Sequence, residues 1–344
     1  MKAKAEPADG MDIDQEMQDE PEEIPSTQGP PSYLTEQGDL RLNYGSDSDT
    51  HAMVIPRGSG MPTEKLDAKS RISLFNTGGY NYCAEFCPQG VNASGREYFV
   101  VSTSYEAKPR TTYGAELYEA VPGMLQIWSI SPTAEAAPSP PKLEMVLHVD
   151  MGSAWNVQWC PSGDDGDRTV LPPYRSCSTL GILAGAFMSG ELAIFAIPDP
   201  DELRAARKIK ADDTLHIRLT PLLVLDPVET TVNSLDWCSP SRIAAGCANG
   251  YVAIWDIEQA LEDGEDAAPM AYFRCHETVI TAVRWIMHPP SEPTGDLLWD
   301  GMPHFLSISC LNGSVSLVDL RDVHGKMEPR ISMAGRMAMA GCEW

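Results

Sequence analysis

The chain lacks any apolar run long enough to cross a membrane as a helix. Its longest, "LGILAGAFM" at 180–188, falls far short of the roughly 20 residues a span requires. The opening "MKAKAEPADGMDIDQEMQDEPEEIP" holds no apolar core of a signal peptide. Basic residues are scarce: 25 Lys and Arg against 49 Asp and Glu leave a formal charge of −24. Such a chain is repelled by nucleic acid and anionic membrane except at a local basic patch. Nine cysteines, an odd number without a secretion signal, indicate reduced thiols in an intracellular protein.

The motifs of common chemistries are missing too. There is no phosphate-cradling G-x-x-x-x-G-K, no G-x-G-x-x-G after a strand, no G-x-S-x-G elbow and no H-E-x-x-H. Cys83 and Cys87 stand four apart with no Cys or His cluster to complete a tetrahedral metal site. "GDDGD" at 163–167 has too few correctly spaced carboxylates for a calcium loop. The expectation is a protein that is not an enzyme, with no cofactor, no metal and no small-molecule substrate.

What is present divides the chain in two. Residues 1–70 carry 15 acids against 6 bases and are rich in Pro, Ser and Gly. A segment of that composition cannot bury enough apolar surface to offset its ordering entropy, so it reads as a disordered acidic tail. Order is expected to begin near "RISLF" at 71–75.

Beyond it a hairpin recurs. "ANGYVAIWDI" (248–257) is matched in register by "MSGELAIFAI" (188–197) and "LNGSVSLVDL" (311–320), and "GMLQIWSI" (123–130) is a fourth copy behind a long insertion. The Asn249-Gly250 pair suggests a type I′ turn with two residues at positive φ. Before each copy lies a strand closing on an aromatic, at Phe86, Trp159, Trp237 and Trp285, and each is followed by Cys or Ile. Cys87, Cys160 and Cys238 thus share one position, that of a small packed residue. One further apolar strand belongs to each unit: 73–75, 143–149, 222–226 and 271–275. The last fourteen residues match 272–285 in length and set Trp344 at the repeat aromatic. The segments 104–122, 131–142, 162–178, 199–218 and 258–269 read as loops. The expected fold is all-β: a WD40-type β-propeller over 71–344, with four blades plus the start of a fifth.

The Trp-Asp dipeptide survives only at Trp255-Asp256, and the Gly-His that opens most WD40 repeats is absent. These repeats must therefore be held by apolar packing and strand ladders. The series "GGYNYCAEFCP", "GMLQIWSI", "GSAWNVQWCP", "LGILAGAFMSGELAIFAIPDP", "LDWCSPSRIAAGCANGYVAIWDI" and "YFRCHETVITAVRWIMHP" runs in one order along the chain. That order resembles the divergent WD40 subunit of transcription factor IIIC. The resemblance implies a nuclear, non-enzymatic scaffold paired with a second propeller subunit of that factor. It implies support of internal tRNA-gene promoter recognition and RNA polymerase III transcription through protein contacts, with DNA touched only within the complex. The repeat pattern alone also fits a generic WD40 adaptor in a chromatin or ubiquitin-ligase complex.

Two segments stand out as partner surfaces. "DELRAARKIK" (201–210) concentrates Arg204, Arg207, Lys208 and Lys210 among Asp201, Glu202, Asp212 and Asp213. With Asp199 or Asp201 as cap it predicts a short helix whose bases are solvated, dock an acidic patch or touch phosphate. The insertion "SYEAKPRTTYGAELYEAVP" presents Tyr105, Tyr113 and Tyr118. Such tyrosines either anchor an interface or fold back over their own blade.

Overall fold

Each sequence repeat folds as an antiparallel sheet, and the way the sheets meet follows from the residue that precedes each repeat aromatic. In a computed structural model the described residues are 22–23, 39–46, 49–62, 73–92, 94–104, 123–131, 140–161, 178–227, 229–264, 267–287, 302–322 and 330–332. Ahead of the repeats lie β1 (Glu22–Glu23), the hairpin of β2 (Leu40–Ser46) and β3 (Asp49–Ile55), and β4 (Gly60–Pro62), which pairs with β5 (Ser73–Phe75). The first sheet is β6 (Tyr80–Phe86), β7 (Glu97–Ser104), β8 (Gly123–Ile130) and β9 (Lys142–Val149). The second begins with β10 (Ala154–Trp159), β11 (Thr179–Phe187) and β12 (Leu192–Pro198). After α1 (Pro200–Arg207) and β13 (Leu215–Arg218), the chain returns to close the second sheet with β14 (Leu223–Leu225). The third is β15 (Val232–Ser239), β16 (Arg242–Cys247), β17 (Tyr251–Asp256) and, after α2 (Ile257–Asp263), β18 (Ala271–Arg274). The fourth is β19 (Ile280–Trp285), β20 (Phe305–Cys310), β21 (Ser314–Asp319) and β22 (Arg330–Ser332).

The sheets are equivalent in detail. Each first strand breaks register near its start, between Asn81 and Cys83, Ala154 and Asn156, Val232 and Ser234, and Ile280 and Ala282, and β15 does so again between Trp237 and Ser239. Such a bulge turns the strand without ending its ladder. β6 packs on β10, β10 on β15 and β15 on β19, so the first strands stand side by side in sequence order.

Polar bonds tie the row. The Trp159 backbone N–H donates to Glu85 Oε2 at 2.8 Å, and its indole N–H to the Glu85 carbonyl at 3.3 Å. One sheet on, the Trp237 indole donates to the Gln158 carbonyl at 3.2 Å. At the next step Trp285 repeats both bonds on Asp236, at 2.5 Å from the backbone and 3.2 Å from the indole. The three tryptophans are only 4–5 % exposed, whereas Phe86, on the first sheet, is 54 % exposed. Trp159 covers Gly181, where an added Cβ would stand 2.9 Å from the ring. Cys87, Cys160 and Cys238 are buried beside the row, and burial pushes the Cys160 thiol up to about 12 and Cys238 to about 11. They pack as small apolar groups.

Several expectations change. Asn249 is not at positive φ; only Gly250 is, at +84°. Gly250 N–H donates to Cys247 O, as Gly190 does to Phe187 O and Gly313 to Cys310 O. This is the turn in which a single glycine at positive φ closes the hairpin, not type I′. Asn249 serves by its side chain, accepting from Tyr251 N–H at 3.1 Å. The 199–218 and 258–269 segments are not plain loops: besides the expected helix, α1, they hold β13 and α2, each too short to show its periodicity in the sequence. The 73–75 strand pairs with β4 rather than with a repeat sheet. Within 1–70, expected to be disordered, the described residues form β1, β2, β3 and β4, and Ile55 is 1 % exposed. Composition averaged over the tail hides the apolar alternation of Met53 and Ile55. The expected fifth unit, with Trp344, lies outside the described residues.

Candidate partner-binding surface

The basic segment does form a helix, and its cap selects Asp199. The Asp199 carboxylate accepts from Asp201 N–H at 2.9 Å and Glu202 N–H at 3.0 Å, with Pro200 at the first helical position. A side-chain acceptor there satisfies amides that the helix itself leaves open, and proline has no amide to leave unpaired. Lys208 ends the helix at φ +58°. Leu203 is wholly buried and fixes the helix against the core.

Arg204 turns inward with it, and is 4 % exposed. Its Nη2 donates to Glu144 Oε2 at 2.6 Å and to the Glu144 carbonyl at 3.0 Å, while Nε donates to Asp213 O. Glu144, on β9, is fully buried. Its other oxygen accepts from Arg96 Nη1 at 2.9 Å and Ser129 Oγ at 2.7 Å. Arg96 also pairs with Asp201, and Lys142 Nζ lies 3.5 Å from Glu144. Burying a carboxylate this completely is tolerable only because both oxygens meet charged or hydroxyl donors. Glu144 therefore pins the insertion of the second sheet onto the outer strand of the first.

β13 completes that attachment. It pairs parallel with β9, from Leu215 opposite Met145 to Arg218 opposite His148. Leu215 and Ile217 face the core, at 2 % and 0 % exposed. His148 Nε2 and His216 Nδ1 lie 3.4 Å apart. Burial first, then the neighbouring His216, holds His148 down at about 4. Beside the network is a cleft of about 510 Å³, lined by Ser59, Arg96, Ser129, Pro141, Lys142 and Thr214 among others.

The four basic residues thus separate. Arg204 is a structural anchor and is not available to a partner, because the buried Glu144 claims it. Lys208 and Lys210 are exposed, and Arg207 is half-buried. Glu202, Asp212 and Asp213 stand exposed around them. What remains is a small mixed surface with two forward lysines, suited to an acidic protein patch more than to a phosphate backbone. Tyr105, Tyr113 and Tyr118 lie outside the described residues. Sequence reading missed Glu144 and Arg96, since neither sits in a motif. The only available signal was a lone acid within the largely apolar strand "KLEMVLHV".

Set beside known proteins, the chain matches transcription-factor subunits. It is 26% identical over 243 residues to "General transcription factor 3C polypeptide 2" of Homo sapiens, covering 62% of this chain and 26% of that protein. The same figures hold for the protein of that name from Pongo abelii. It is 27% identical over 144 residues to "Transcription factor tau subunit sfc6" of Schizosaccharomyces pombe, covering 40% of this chain and 20% of that one. The chain is a distant relative of transcription factor IIIC subunits. It spans about a quarter of the length of the two proteins named "General transcription factor 3C polypeptide 2". No protein-family profile matches it.

Proposed function

We propose that this chain is a WD40-type β-propeller scaffold of transcription factor IIIC, working in the nucleus and without catalysis of its own. Its role is to hold other subunits of that factor, a second propeller subunit among them, during promoter recognition for RNA polymerase III. The observation that carries the reading is the similarity to factor IIIC subunits from human and fission yeast, two distant organisms. The fold supports it: four antiparallel sheets follow one another, their first strands adjacent in chain order. That is the arrangement from which propellers are built. The charge supports a protein-binding role, because the sequence outside residues 1–70 carries 34 acids against 19 bases. Duplex binding draws its affinity from neutralised phosphates, so DNA is met through the assembled factor.

Affinity purification of the tagged chain from nuclear extract tests this. Recovery of the other factor IIIC subunits is the expected outcome. Recovery of a cullin adaptor or a chromatin complex in their place would establish the generic adaptor reading and end this one. A parallel measurement is binding of the chain alone to a tRNA-gene fragment at physiological salt. Submicromolar affinity would refute the claim that DNA is reached only through the complex.

A further inference from the structure

We infer that the outer edge of β13 is a docking edge for an acidic, extended peptide, and that the chain's own residues 22–23 occupy it in cis. The first sheet already grows by addition, since β13 comes from the insertion of the second sheet and joins β9 in parallel. β1 then adds antiparallel to β13, with Glu22 opposite Arg218 and Glu23 opposite Ile217. The edge is built in advance of its occupant. Leu215 and Ile217 are buried, and Arg204 and Glu144 fix the segment leading to β13. A preformed strand edge offers a row of main-chain donors and acceptors to any extended segment.

Two features make the cis occupant replaceable. Among the described residues it pairs only with Ile217 and Arg218, half of a four-residue strand. Pro21 and Pro25 bracket it closely, and proline has no N–H with which to extend a ladder. A contact this short recovers little more than the entropy lost in ordering it. What favours it is attachment to the same chain, which gives it a high effective concentration. A partner strand that reaches Leu215 and His216 as well makes more bonds and displaces it.

Charge selects the kind of partner. The Arg218 side chain is 53 % exposed, with Asp150 3.7 Å away, and Arg57 lies near enough to His216 to help hold its imidazole below the ordinary range, after burial. The native occupant comes from a stretch, residues 1–25, with nine acids and two bases. An acidic strand free of proline for four or more residues fits this edge. A basic one does not.

The experiment uses the full-length chain and its Glu22→Pro variant, which removes the N–H of the residue paired with Arg218. The probes are a fluorescein-labelled peptide with the sequence of residues 18–27 in which Thr replaces Pro21 and Pro25, and a peptide of equal charge with proline at alternate positions. In the variant, amide exchange at Arg218, whose N–H faces β1, should rise at least tenfold, the proline-free peptide should bind at least tenfold more tightly than to the parent, and binding should restore protection. Arg218→Glu in the same background should abolish it. Unchanged exchange, equal binding by parent and variant, or equal binding of the proline-interrupted peptide would each overturn the inference.

Discussion

Replacing Glu85 by Gln should stabilise the protein above neutral pH, although it removes a charge that makes a good hydrogen bond. Glu85 accepts the Trp159 backbone N–H at 2.8 Å. Burial raises its pKa from 4.5 to about 7; the Trp159 bond and Arg284 oppose that rise, while Asp236 adds to it. A carboxyl whose folded value lies above its unfolded one binds more protons when folded, between about pH 4.5 and pH 7. Its contribution to stability is therefore present at low pH and is lost as pH rises through the folded value. Each unit corresponds to about 1.4 kcal/mol, so ionisation costs at most about 3 kcal/mol. Partial exposure brings a working figure of about 1–2 kcal/mol.

Glutamine keeps the acceptor oxygen and drops the ionisation. The chain itself supplies the precedent, because Gln158 occupies the same position one sheet on. Urea unfolding of parent and Glu85→Gln at pH 4 and pH 8 reads the difference. Near-equal stabilities at pH 4, with the variant ahead by about 1–2 kcal/mol at pH 8, are expected. Comparing the two proteins at each pH cancels the opposite trend of His148, a base held down to about 4 that costs stability as pH falls below 6.5. A variant that is less stable at pH 8, or a difference that does not change with pH, would refute the burial argument.

Arg204→Ala should cost about 3–5 kcal/mol, since it leaves Glu144 buried without its closest partner; thermal unfolding measures it, and a loss under 1 kcal/mol would return Arg204 to the surface reading. Trp285→Ala should cost about 3–5 kcal/mol, whereas Phe86→Ala, at the same repeat position but exposed, should cost less than about 1 kcal/mol. Equal losses would show that the two positions are equivalently packed. Lys208→Glu with Lys210→Glu should leave unfolding within about 0.5 kcal/mol of the parent while weakening capture of the partner that docks on α1; unchanged capture would remove this face from the partner surface.

Most of the sheet architecture could be read from the residues, because a repeat multiplies weak signals. No single strand such as "LAIFAI" separates a buried strand from a buried helix by its pattern. Three hairpins with the same turn glycine, and four first strands closing on an aromatic, do. The elements that escaped, α1 apart, occur once: β13, α2 and the β2–β3 hairpin have no second copy to compare. The turn type escaped for a different reason. Asn-Gly is compatible with two hairpin geometries, and the choice is made by what approaches Gly250. Cys275 and His276 both donate backbone N–H groups to its carbonyl, and a Cβ there would sit 2.2 Å from His276 O.

The position before the repeat aromatic shows where a close reading of a repeat stops. Glu85, Gln158, Asp236 and Arg284 align perfectly in the sequence and share no chemistry, which makes the column look like variable surface. In the fold the column is the joint between sheets, and the common element is the main-chain carbonyl, which every residue type supplies. The side chain then has only to find some partner. Glu85 and Asp236 accept an N–H from the following tryptophan, and Gln158 offers its carbonyl to the Trp237 indole and its side chain to Asp236. Arg284, which has no acceptor, turns back to Asp236 at 3.5 Å and to the Leu235 carbonyl at 3.0 Å. Constancy is thus carried by the tryptophan, the donor that no substitution at the preceding position disturbs. Identity at this joint is free to drift so long as the carbonyl stays in place, which is how repeats can lose their shared sequence and still pack as one row.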